Sequence, residues 1–381
     1  MWSANEWHAI QDLLPVGATM APVIIASDKT QLTNFSGGKA AYPVYLTIGN
    51  LPKAIRRKPS AHACVLLAYL SVNKPVKKRQ GISKKTLRLR NYQLFHRSMA
   101  EVLAPLKTMG RKGIVMVSGN GQKRKVHPIL SSYVADYPEQ CLVTCTKYGT
   151  CPKCRRKATE LENQTLGEER TQLWTEGVIR KARSRGKTPS AIHSLAMEDD
   201  VAGGDYDPFW KGFPYCDIHD AIMPDVLHQL YQGVIKHLIS WIQSLMTKDE
   251  FDSRLRSLPP AFGVRHFKDD SRGIIAARSL LDFIHLVQYP SHDGRTVRYA
   301  EEALDSWHAN RAYFKEKEVR DHFNIPKFHS LLHYIPSIKL KGTTDNGNTE
   351  AFEHLHITFA KDGWRASNKR DAFPQMITWL S

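Results

Sequence analysis

Two aspartates, Asp28 and Asp136, each close an apolar, β-favouring stretch: Pro22-Val-Ile-Ile-Ala-Ser-Asp28 and Leu130-Ser-Ser-Tyr-Val-Ala-Asp136. A strand fixes the position of a carboxylate at its end, so such a group can face a divalent cation. Two cations about 3.5–4 Å apart would need two or three carboxylates. The competing reading is local, since a strand-terminal Asp commonly opens a turn. A second set pairs Cys151-Pro-Lys-Cys154 with His329 and His333. Two thiolates at this spacing reach one tetrahedral ion, and two histidines at i, i+4 on a helix face the same way. Each half also has a plainer reading, a redox pair for the cysteines and a core helix with polar tips for the histidines. A third set, Asn348-Thr349-Glu350-Ala-Phe-Glu353, opens a helix with Thr349 as its N-cap, and its acids also suit the helix dipole. Asp225-Val-Leu-His228 has metal-binding i, i+3 spacing, or it is a polar contact within a helix.

These residues need elements to bring them together. The spacing predicts a short helix over residues 1–14 and strands at Pro22–Asp28, Tyr42–Ile48 and His62–Leu70, with Gly37-Gly38 returning the first onto the second. A helix follows at Arg88–Leu106. Ile114–Val117 and Val126–Ile129 form a hairpin across Gly119-Asn120-Gly121, and Leu130–Ala135 is a further strand. Residues 155–200 read as charged and helical or loose. Helices are then expected at Asp225–Met246, Ser279–Val287, Ala300–Glu316, Ile325–Ile335, Thr349–Ala360 and Asp371–Leu380. Gly203–Tyr215 and Pro259-Pro260 mark breaks around an insertion. Three strands, a helix and another strand, followed by a mainly helical region, make an α/β protein.

The chain has 381 residues, 42% of them hydrophobic, enough for a real core. No apolar run approaches the ~20 residues of a membrane span, and Met1-Trp-Ser-Ala-Asn-Glu-Trp7 does not resemble a signal peptide. Six cysteines are too few for a disulfide scaffold. The net charge is +17, and Lys53–Lys125 holds all the excess, with 19 basic residues against one acid, Glu101. Its runs include Arg56-Arg57-Lys58, Lys77-Lys78-Arg79, Lys84-Lys85 and Lys123-Arg124-Lys125. Such a concentrated field calls for a polyanion, and nucleic acid fits better than a solvated face or a nuclear-import tract.

Several stretches in order resemble the catalytic region of Plavaka-type transposases, the fungal branch of the CACTA-like DNA transposases. They are Ser27-Asp28-Lys-Thr-Gln-Leu32, Tyr42-Pro-Val-Tyr-Leu-Thr-Ile-Gly-Asn50, Ala135-Asp136-Tyr-Pro-Glu-Gln140, Cys151-Pro-Lys-Cys154, Asp225-Val-Leu-His228, Lys327-Phe-His329-Ser-Leu-Leu-His333 and Asn348-Thr-Glu350. More distantly, the layout is similar to the catalytic core of the V(D)J recombinase. The resemblance implies an RNase H-like mixed sheet of the DDE type with a large helical insertion. Residues 1–150 would begin the core and carry the basic segment 53–125. Residues 151–325 would be the zinc-linked insertion, and residues 326–381 the helices completing the core. It implies Asp28, Asp136 and Glu350 as catalytic acids, with Glu353 as the alternative third. They would hold two Mg²⁺ (or Mn²⁺) ions for DNA strand cleavage and transfer. It also implies structural Zn²⁺ on Cys151, Cys154, His329 and His333. The basic runs, for their part, give the expected DNA contacts: Arg56, Arg57, Lys58, Lys77, Lys78, Arg79, Lys123, Arg124 and Lys125. Transposon ends and target DNA are the expected partners, with a homo-oligomer, a nuclear location and no membrane. Such transposases are usually longer, so the expectation includes a truncated element. The alternative is an inactive, host-retained DNA-binding derivative stabilised by zinc.

Overall fold

The computed structural model describes residues 1–33, 38–72, 83–250, 253 and 272–380. Seven strands are described: β1 (Ala18–Ser27), β2 (Thr30–Gln31), β3 (Ala40–Ala41), β4 (Pro43–Ile48), β5 (Val65–Tyr69), β6 (Ile114–Val117) and β7 (Lys123–Val134). Five form one mixed sheet in the order β5-β4-β1-β7-β6, and β2 pairs with β3 as a separate ribbon. β1 is central. It runs antiparallel to β4 and parallel to β7, with Ala26 opposite Tyr45 on one side and Val134 on the other. Its last six residues are all buried, as expected of a strand covered on both faces.

The sequence divides β7 into two strands, but the chain runs through as one. The junction survives as a register shift between Val23 and Ile24, which leaves Ser131 as the extra residue. Basic Lys123–Lys125 pair with β6, and the far half of β7 is buried. There Tyr133 also meets Ile222 in a parallel bridge.

The two faces of the sheet have different covers. Val23, Ile25, Val44, Leu130 and Tyr133 pack under Phe95, Met99 and Leu103 of the Lys84–Lys112 helix. Their four-residue spacing puts those three side chains on one stripe. Ser83 caps the helix by accepting from Thr86 N at 3.1 Å. The opposite parity, Ile24, Ala26, Tyr45 and Val134, packs against Leu355 of the Glu350–His356 helix. The period of two therefore sends Asp28 and Asp136 to this second face, beyond Ala26 and Val134.

The segment 172–222, assigned above to the insertion, instead shares the sheet's first core through Val178, Ile179, Ile192, Trp210 and Ile218. A separate apolar core begins at Val226 and ends at Ile338, filled by Trp241, Phe283, Trp307, Phe328 and Tyr334. The expected helix Ile325–Ile335 is divided at Ser330 into Pro326–His329 and Leu331–Lys341. Pro259-Pro260 and Lys77-Lys78-Arg79 lie outside the described residues. No helix among the described residues is long and apolar enough to cross a membrane.

Candidate active site and metal centre

Among the described residues, two groups of His, Cys, Asp and Glu bring donor atoms within 4.8 Å of one another. The first is Cys151, Cys154, His329 and His333, all four buried. Cys151 Sγ lies 3.2 Å from His333 Nε2, and Cys154 Sγ lies 3.1 Å from His329 Nε2. Donors around a tetrahedral zinc stand about 3.5 Å apart, given bonds of about 2.3 Å to sulfur and 2.0 Å to nitrogen. The set fits that ion. His329 Nδ1 is 3.1 Å from Leu161 O, which leaves Nε2 aimed at the thiols. The turn is braced from below by Lys153, whose ammonium donates to His219 O and Ile222 O at 2.8 and 2.9 Å. His219 Nδ1 in turn lies 2.6 Å from Pro152 O. Burial pushes the Cys151 thiol far up, and the contact with Cys151 draws the Cys154 thiol far down. Cys141 and Cys145 are buried outside this group, and Cys145 joins the sheet core with its Sγ 3.4 Å from His96 Nε2.

The second group is Asp28, Glu353 and His356. Asp28 stands just past β1 and Asp136 just past β7, so neighbouring parallel strands bring the two aspartates to one end of the sheet. Burial, and then the charges of Asp136 and Glu353, push the Asp28 carboxyl up to about 6. Asp136 is also raised, chiefly by burial. It caps the Tyr137–Val143 helix by accepting from Glu139 N at 2.9 Å. Glu353 hydrogen-bonds through Oε2 with His356 Nδ1 at 3.2 Å, which holds its carboxyl below the ordinary range. His356 Nε2 is buried without a partner. The donor atoms of Asp28, Glu353 and His356 are a set that a divalent cation would satisfy, and Asp136 is near enough for its charge to raise the Asp28 carboxyl.

Glu350 does not join them. It is the first residue of its helix, one turn above Glu353 along the axis. Its exposed carboxylate accepts from Asn348 Nδ2 at 3.2 Å. Thr349 is the N-cap residue of this helix, but its side chain makes no capping hydrogen bond. Its backbone N–H and its hydroxyl both donate to Asp225 Oδ1 at 2.9 Å. Asp225 is fully buried, and its Oδ2 is 2.9 Å from His228 Nδ1, an interaction that raises the His228 pKa. His228 Nε2 then lies 3.7 Å from Glu353 Oε1. The Asp225–His228 pair therefore ties the helical core to the helix that carries Glu353. Beneath the strand ends, Ser27 Oγ donates to Glu139 Oε1 at 2.6 Å, Tyr42 OH donates to the same oxygen, and Tyr133 OH lies 2.6 Å from Ser27 Oγ. Loss of solvent pushes the Glu139 carboxyl up to about 8.

His356 was missed in the sequence. The available signal was its i, i+3 spacing from Glu353 on a helix whose Leu355 faces the sheet. Two π-helical segments, Val226–Ile235 and Ile357–Asp362, start directly after Asp225 and His356. Such wide turns are common beside functional sites.

Among the described residues, the basic runs Arg56-Arg57-Lys58 and Lys123-Arg124-Lys125 differ in their surroundings. Arg56 donates to Asn346 Oδ1 at 2.7 Å and pairs with Asp345 at 3.4 Å, so it is spent on the fold. Arg57 and Lys58 are exposed. Lys123–Lys125 are exposed at the opposite end of β7, roughly 35 Å from Asp136 at ~3.3 Å per residue.

Compared with known protein families, residues 1–242 match the family described as Plavaka transposase. No curated protein matches the chain.

Proposed function

Because the chain belongs to the Plavaka transposase family, we propose that it carries a DDE-type catalytic centre on an RNase H-like core and cuts and joins DNA strands at Asp28, Asp136 and Glu353. The observation that supports this reading is the cluster of Asp28 with Glu353 and His356, beside the parallel strand whose end carries Asp136. The topology supports it too, since the trio β1, β4 and β5 is followed by a helix and then by β7 parallel to β1. On this reading the sheet, residues 172–222 and the last helices are the core, and the helices from residue 226 onward are the insertion.

The three carboxylates, with His356 beside them, would hold Mg²⁺ or Mn²⁺. Bound there, the cations supply charge neutralisation at the phosphodiester and a more acidic water or 3′-hydroxyl. The chain's own part is positional. β1 and β7 fix Asp28 and Asp136, and the Asp225–His228–Thr349 contacts set the start of the helix so that Glu353 turns inward. A phosphorus–oxygen bond to the attacking hydroxyl would form as the bond to the leaving 3′-oxygen breaks. Zinc on Cys151, Cys154, His329 and His333 would fasten the insertion to the core. Arg57 and Lys58 would contact the DNA backbone, and Lys123–Lys125 would extend the footprint along the sheet. DNA is the natural partner, with the nucleus as the place of action.

The test is nicking of supercoiled plasmid and joining of a 3′-hydroxyl oligonucleotide in Mg²⁺ or Mn²⁺. Parent activity is expected to fall about 10²-fold or more in Asp28→Asn, Asp136→Asn and Glu353→Gln. Equal nicking by all four proteins would end the proposal.

A further inference from the structure

A cavity of about 400 Å³ opens one residue beyond Asp28. One wall is the β2–β3 ribbon, which supplies Lys29, Leu32 and Lys39; the other is the segment 364–373. Leu32, Trp364 and Phe373 belong to one apolar cluster and form its floor. Phe373 is held in place by Tyr69, with ring centroids 5.3 Å apart. The rim carries three ammonium groups, those of Lys29, Lys39 and Lys369, and one acid, Asp371. Among the described residues no ion pair neutralises any of the three lysines. Lys369 and Asp371 are both in the left-handed region, at φ 65° and 42°. Non-glycine residues are held there at a cost, and such strain gathers at ligand sites.

Cations around an apolar, aromatic floor are the chemistry that recognises a nucleotide: the base goes to the floor and the phosphates to the ammonium groups. A base paired within a duplex cannot enter a recess without leaving its partner. The volume is that of a small-molecule site. We propose that this recess takes an unpaired nucleotide of the DNA strand lying over Asp28, with its base against Phe373 and its phosphates on Lys29, Lys39 and Lys369. The inference rests on the reading of Asp28 as part of a DNA-cutting centre. It adds that the chain distinguishes distorted from regular DNA next to the cut.

The probe is a duplex oligonucleotide with one unpaired 2-aminopurine, compared with the fully paired duplex. Binding is followed by anisotropy without added divalent cation or chelator, so that zinc is kept. The parent is expected to prefer the unpaired probe by about tenfold and to quench its fluorescence. In the double variant Lys39→Glu/Lys369→Glu the affinity ratio should fall to about one, whatever happens to affinity overall. Phe373→Leu keeps the apolar volume and should lose most of the quenching. No preference in the parent, or an undiminished ratio in the double variant, would overturn the proposal. Plasmid nicking by the parent is read separately. A preference without nicking defeats the catalytic reading alone, and nicking that needs Asp28 without a preference defeats this inference alone.

Discussion

The two donor clusters are built on opposite principles. The Cys151–Cys154–His329–His333 set is buried, and its donors already lie in hydrogen-bond contact with one another. The acidic set is half-buried and at odds with itself, since Asp28 is pushed up by burial and then by the charges of Asp136 and Glu353. The first contributes to folding. The second is held in place by the rest of the fold at a cost, as sites for charged ligands commonly are. The difference teaches where to look for each role: cohesion in the absence of substrate marks a staple, and unrelieved repulsion marks a reaction centre.

The largest expected effect tests the staple. Structural zinc contributes directly to folding, so Cys154→Ser or exhaustive chelation should remove one zinc per chain and lower the melting temperature by about 10 °C or more. Full stability in a protein shown to be zinc-free would remove the distinction between the clusters.

Next comes the division between Glu353 and Glu350. Glu353→Gln should lower plasmid nicking about 10²-fold and leave the melting temperature within about 2 °C. Glu350→Gln should stay within about twofold of the parent in nicking, since its carboxylate is exposed and bound to Asn348. The reverse pattern would return the third role to Glu350.

How much of this was legible in the sequence follows the same contrast. The strand-end aspartates, the Cys-x-x-Cys and the i, i+4 histidines could each be seen as candidates, because each signal is short-range, but local patterning left each with a plainer reading and did not join the cysteines to histidines 175 residues away. The choice between Glu350 and Glu353 could not be read. It depends on Asp225 fixing the height of Thr349 across 124 residues of chain. Nor could the role of Arg56 be seen, since Asp345 is brought to it only by folding. That the helices of 172–222 pack on the sheet was hidden for a related reason: their apolar stripe does not say which of two cores it joins.

The acidic cluster makes a prediction in pH. The Asp28 carboxyl is raised from 3.8 to about 6, so without a divalent cation the folded protein keeps a proton that the unfolded chain has lost. That contribution to stability is whole below the unfolded pKa and disappears as pH rises through about 6. The melting temperature of the parent relative to Asp28→Asn should therefore fall between about pH 4 and pH 6.5. Added Mg²⁺ should oppose the fall, increasingly so above about pH 6, where the proton no longer competes. A difference that stays constant with pH would mean that neither burial nor its acidic neighbours raise the Asp28 carboxyl.

The smallest expected effect separates charge that builds the site from charge that meets DNA. Arg56 and Arg57 are adjacent, yet only Arg56 reaches Asp345 and Asn346, in the turn just before the Glu350–His356 helix. The side chain of Asp345 is almost fully buried, and removing Arg56 leaves it Lys53 at 3.4 Å as its ion-pair partner, besides the Thr343 hydroxyl. Arg56→Ala should cost about 2 kcal/mol of stability, the scale of a buried charged hydrogen bond. Its effect on DNA binding should change little with salt, because Arg56 neutralises no phosphate. Arg57→Ala/Lys58→Ala should do the opposite, leaving stability within about 0.5 kcal/mol and lowering the salt slope of binding by about 0.9 for each phosphate that is no longer neutralised. If Arg56→Ala flattened the salt slope as much as the double variant does, the run Arg56-Arg57-Lys58 would act as a single DNA-binding patch, and the ion pair with Asp345 would have to open when DNA binds.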